Sequence, residues 1–103
     1  MRKEIIKIEN ESKIYFVNID DIMSISVDSN LVGFFLENGD AIYKTASLQV
    51  ALELLPEFVQ INRNCAINVN KIKELSKKTR TIKLKNDKTY KVSTRQMPKL
   101  RLI

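Results

Sequence analysis

The sequence predicts a small, mostly β domain, and three observations carry that prediction. Short runs that alternate apolar and polar residues recur along the 103 residues, separated by turn-forming clusters. Asn38-Gly39 stands between two β-rich runs, a strong short-range mark of a hairpin. Only one segment, near 47–55, carries clear helical spacing. With 2 Gly, 2 Pro and no low-complexity stretch, the chain shows no linker or repeat, so residues 1–103 read as one domain.

Ile6 and Ile8 alternate with Lys7 and Glu9, and Ile14 and Phe16 share a face of the run from Lys13 to Val17. From Ile22 to Val27, Ile22, Ser24 and Ser26 oppose Met23, Ile25 and Val27. Asp20-Asp21 and Asp28-Ser29-Asn30 read as turns flanking this run. Leu31 to Leu36 is apolar nearly throughout, as in a strand covered on both faces. Asn38-Gly39 supplies two residues tolerant of positive φ, as a type I′ turn into Ala41–Thr45 requires. Leu48, Ala51, Leu52 and Leu55 then fall on one helical face, with Ser47 or Thr45 as cap and Pro56 as stop. Strands follow at Phe58–Ile61 and Ala66–Val69, broken by Asn62-Arg63-Asn64. Ile72–Leu75 is ambiguous. Thr81–Lys85 and Thr89–Ser93 point Ile82, Leu84, Tyr90 and Val92 inward around an Asn86-Asp87-Lys88 turn. Arg95–Leu102 reads as a short helical turn broken around Pro98.

Charge is divided along the chain. Residues 1–56 hold five basic and nine acidic residues, net −4; residues 57–103 hold thirteen and three, net +10. Such a split suits a polyanion or an anionic surface as partner; the alternative is a solvated basic face with no ligand. No apolar run approaches the ~20 residues of a membrane span, and Met1-Arg2-Lys3-Glu4-Ile5-Ile6 does not read as a signal peptide. One cysteine, Cys65, cannot make an internal disulfide and suits a reducing compartment. A cytoplasmic protein is expected.

Histidine is absent, which removes the commonest general base and metal ligand. Cys65 reads as a buried filler, and Asp20-Asp21 do not converge on a metal. No glycine-rich phosphate loop is present, since Gly33 and Gly39 are isolated. No catalytic residue, metal or cofactor is expected. Arg63 and Arg95 differ from the many strand lysines, because each sits in a polar break beside a strand. Arginine grips guanine or phosphate through two hydrogen bonds, and asparagine, here Asn30 in its turn, pairs with adenine in the same way.

The stretch Phe58-Val59-Gln60-Ile61-Asn62-Arg63-Asn64-Cys65-Ala66-Ile67-Asn68-Val69-Asn70-Lys71-Ile72 resembles the signature of the LytTR DNA-binding family. Asp21-Ile22 with Asn30-Leu31-Val32, Ser47-Leu48 with Leu55-Pro56, and Lys91-Val92-Ser93-Thr94-Arg95 resemble its other elements, in order along nearly the whole chain. The resemblance implies an elongated domain of packed antiparallel sheets whose loops, rather than a helix, enter successive major grooves. It implies base contacts from Asn30, Arg63 and Arg95, with Asn62 and Asn64 as additional contacts. It places Lys44, Arg80, Lys85, Ser93 and Lys99 near phosphates. Asn62 and Asn64 stand where the family often has histidine and serine, and Arg95 comes one residue late, which points to a different target sequence.

The function implied is duplex-DNA binding in transcription regulation, as the output domain of a two-component response regulator. Partners would be paired DNA repeats, with a receiver domain or second copy, and neither a membrane nor a small-molecule substrate. Two other readings fit the charge: an RNA-binding β module stacking bases on Tyr15, Tyr43 or Tyr90, and a basic protein-interaction module. Phe16, Phe34, Phe35 and Phe58 sit in apolar runs that read as core.

Overall fold

A computed structural model describes residues 4–102; Ile103 and the start Met1-Arg2-Lys3, part of the segment weighed as a signal peptide, lie outside the described residues. Strands β1 (Ile5–Glu9) and β2 (Ile14–Asn18) form a hairpin sheet. Strands β3 (Ile22–Asp28), β4 (Leu31–Leu36), β5 (Ala41–Thr45), β6 (Phe58–Asn62) and β7 (Cys65–Asn68) form a central sheet in the order β5-β4-β3-β7-β6. Strands β8 (Ile72–Ser76), β9 (Thr81–Leu84) and β10 (Thr89–Lys91) form a third. All pairings among them are antiparallel. Two helices, α1 (Leu48–Glu53) and α2 (Met97–Arg101), complete the domain, whose principal extents are 42 × 33 × 22 Å. The expected class, mostly β with packed antiparallel sheets, a short helix near 47–55 and a C-terminal helical turn, is what the chain forms.

The central sheet is a middle layer with a core on each face. On one face Ile25, Val32, Phe34 and Ile42 meet Ile8 and Val17 of the hairpin and Leu48, Ala51 and Leu55 of the α1 region. On the other, Met23, Ile61 and Ile67 meet Ile82, Leu84, Val92, Met97 and Leu100. Each such fully buried aliphatic or aromatic side chain contributes about 1.5–3 kcal/mol relative to exposure. Ser47 caps α1 by accepting a hydrogen bond from Val50 N–H at 3.2 Å, and the buried face is the one that the spacing of Leu48, Ala51 and Leu55 predicts. Across the second interface the buried Ser24 hydroxyl lies 3.1 Å from that of Tyr90.

Several local expectations are corrected. The Asn38-Gly39 hairpin exists, but its turn is not type I′. Gly39 N–H bonds Leu36 C=O and Leu36 N–H bonds Asp40 C=O, closing a three-residue loop in which only Gly39 has positive φ (96°). Leu84–Lys88 repeats this loop, with Asp87 at φ 68° in the equivalent place. Strict alternation fails in β3, where the register shifts between Ile22 and Ser24. The extra residue, Met23, turns into the second core while Ile22 and Ile25 both face the first. Phe16 is not core: Tyr15 and Val17 take the inward face of β2, leaving Phe16 72% exposed. Pro98 does not break α2 but lies in its first turn, where a missing N–H costs nothing.

Candidate nucleic-acid interface

Three connections meet at one end of the central sheet. Between Asp28 and Leu31 a two-residue turn, Ser29-Asn30, has its positive φ (60°) at Ser29. Between Asn62 and Cys65 lies a second two-residue turn, Arg63-Asn64. The segment after β10 carries Ser93, Thr94 and Arg95 into α2.

Backbone hydrogen bonds tie these pieces into a row. Ala46 N–H donates to Asn30 C=O (2.8 Å), and Val27 N–H to Asn64 C=O (2.8 Å). Ser93 N–H donates to Ile61 C=O (2.9 Å), and Val92 N–H to Arg80 C=O (2.8 Å). The Ser93 carbonyl in turn accepts from Gln96 and Met97 N–H, and Met97 and Leu100 are buried, which anchors the Arg95 turn. Strands lie about 4.8 Å apart, so the four steps across the sheet spread this row over roughly 20 Å.

Asn30, Arg63, Asn64 and Arg95 are exposed, and Asn30, Arg63 and Arg95 make no side-chain hydrogen bond or ion pair with the described residues. Their backbones are fixed while their side chains are free, the arrangement that base-edge contact needs. Asn62 differs. Its amide donates to Lys91 C=O (2.9 Å) and its oxygen accepts from Asn64 N–H (2.9 Å), so it braces the turn. Gln60 adds a second brace by donating to Asn62 C=O at 3.0 Å.

The phosphate candidates divide. Arg80, at φ 52°, donates from its guanidinium to the Thr94 hydroxyl and so stands against the Arg95 segment. Ser93 lies within the row, and Lys99 is exposed on α2. Lys44 extends along β5 and donates to Glu9 C=O at 2.7 Å, which fastens the hairpin tip. Lys85 lies elsewhere. Its N–H bonds Lys71 C=O, and Lys71 reaches Glu37 at 3.7 Å, at the other end of the sheets. The four residues of β9 separate Lys85 from Arg80, roughly 15 Å.

Two cations went unmarked in the sequence. Lys77 and Lys78 are exposed in the β8–β9 turn, which the Arg80 and Lys91 contacts hold at the basic end. The signal was there, a Lys-Lys pair between two strand-like runs, but the ambiguity of Ile72–Leu75 hid it. Tyr90 packs against the second core and its hydroxyl lies 3.1 Å from that of Ser24. Burial raises the Cys65 thiol to about 11, as suits a filler. Among the described residues no helix is long and apolar enough to cross a membrane.

The chain is similar to known proteins at two levels. A solved structure described as the LytTr DNA-binding domain of a methyl-accepting/DNA response regulator from Bacillus cereus shares 21% identity. It superposes with a TM-score of 0.79 over 98% of this chain and 96% of that one. No curated protein matches the sequence. The profile of the LytTR family, the LytTr DNA-binding domain, matches residues 12–103. By that match, over nearly its whole length and with the fold the family resemblance implies, the chain belongs to the LytTR family of DNA-binding domains.

Proposed function

We propose that this domain reads a specific duplex sequence for a transcription regulator, by placing turns rather than a helix against base edges. One observation carries the reading: Asn30, Arg63 and Arg95 stand exposed and unengaged on turns that a continuous chain of backbone hydrogen bonds fixes at one end. The helices argue the same way. α1 and α2 span 6 and 5 residues, too short to fill a major groove as a recognition helix does. Arg63 and Arg95 suit guanine edges and Asn30 an adenine edge, with Asn64 beside Arg63. Lys77, Lys78, Arg80, Lys91 and Lys99, with Ser93, suit the flanking phosphates.

The chain would act in the cytoplasm as the output module of a response regulator, with copies on paired repeats. The description of the Bacillus cereus structure as the DNA-binding domain of a response regulator supports the output-module role. Selection of bound duplexes from a random pool tests the reading. Recovery of one enriched motif supports sequence-specific recognition, and an unenriched pool contradicts it.

A further inference from the structure

Among the described residues one edge of the β1–β2 sheet is open. Ile19 N–H bonds Glu4 C=O (2.9 Å) and Asn10 N–H bonds Lys13 C=O (3.0 Å). Alternation then makes Ile6/Val17 and Ile8/Tyr15 the hydrogen-bonded pairs, so the backbone groups of Ile14, Phe16 and Asn18 point away from β1. From Ile14 to Asn18 the strand holds no charge, proline or bulge, the devices that commonly protect an edge. Phe16 and Ile14, with Ile5 opposite, present exposed apolar surface beside it.

A groove of about 490 Å³ runs along this edge. Tyr15 and Phe16 form one wall, Leu36 and Ile42 of the central sheet lie across it, and Asp21 and Glu37 supply its charges. Among the described residues no lysine or arginine lines it. A single strand laid along β2 would pair with the open backbone of Phe16 and set alternate side chains on Leu36 and Ile42. A second copy's β2 suits the space poorly, because it would bring its own central sheet under the added strand, where Leu36 and Ile42 already lie.

We propose that the groove binds an extended segment of a partner protein, apolar residues alternating with lysine or arginine, by strand addition to β2. Its charge complements Asp21, while Glu37 already meets Lys71 at 3.7 Å. The groove opens toward Leu36 and Asn38, at the end of the central sheet away from Asn30 and Arg63, so the partner does not compete with the turn row. It stands independently of the DNA reading.

The test is titration of ¹⁵N-labelled protein with an acetylated, amidated Val-Lys repeat octapeptide, with the Val-Glu repeat as control. Expected are saturable shifts and slowed amide exchange at Ile14, Phe16 and Asn18. Affinity falls about tenfold or more for the Val-Glu peptide and for the Asp21→Asn/Glu37→Gln double variant. Phe16→Pro, which removes an outward N–H that the fold does not use, abolishes binding while leaving the circular dichroism spectrum unchanged. Absence of β2 shifts, or equal affinity for the two peptides, overturns the proposal. So does a dimer in sedimentation that Phe16→Pro dissolves, because the occupant would then be a second copy.

Discussion

The side-chain amide of Asn62 donates to the backbone carbonyl of Lys91 at 2.9 Å, joining the turn that carries Arg63 to the segment that carries Arg95. These residues are far apart in sequence, yet this side chain, together with the backbone bond from Ser93 to Ile61, holds their turns side by side. Asn62→Ala removes both this bond and the one that orders Asn64. We expect a loss of about 1–2 kcal/mol in stability. Affinity for the selected duplex should fall more than affinity for random DNA, as a competition titration at fixed salt would show.

Arg63→Ala tests base reading itself. The expected loss is about 1–3 kcal/mol on the selected duplex, with relaxed preference at one position and a smaller loss on random DNA. Equal losses on both would reassign Arg63 to phosphate.

Salt dependence separates the cations by position. With about five phosphate contacts, log K against log salt should have a slope near −4 to −5. Lys78→Ala should flatten that slope by about one unit and weaken all sequences alike. Lys85→Ala should flatten it less, because Lys85 sits with Lys71 at the other end of the sheets.

Tyr90→Phe tests the seam between the central and third sheets. It leaves the buried Ser24 hydroxyl without its 3.1 Å partner. The expected cost is about 1–2 kcal/mol in urea unfolding, with DNA affinity unchanged once the variant is folded.

Burial raises the Cys65 thiol to about 11, so the folded protein holds this proton more tightly than the unfolded chain. The linked stabilisation is complete below about pH 8.5 and is lost as pH rises toward 11. Near pH 8, iodoacetamide should modify the folded protein far more slowly than the urea-unfolded chain.

Much of this was legible in the sequence because strand alternation and turn residues act locally. The inward sets of β9 and the helix face of Leu48, Ala51 and Leu55 follow from spacing alone. The misread features depend on contacts distant in sequence. Met23 changes face because β3 shifts register against β4 there, a feature of strand pairing that the alternation of β3 alone does not show. Phe16 is left outside because Tyr15 and Val17 take the inward face of β2. Likewise Asn30, Arg63 and Arg95 could be named singly from turn chemistry and the family resemblance. Their convergence at one end, the bracing role of Asn62 and the separate place of Lys85 required the sheet order. The charge split pointed to the basic half but did not reveal that its lysines occupy opposite ends of the β8–β10 sheet.

Amide chemical-shift mapping with the selected duplex bound tests the central claim most directly. The largest changes should fall on Ser29–Asn30, Arg63–Asn64 and Thr94–Gln96, with smaller ones at Lys77–Arg80. Changes centred instead on Glu37–Asp40 and Lys85–Lys88, with the three turns silent, would contradict the account.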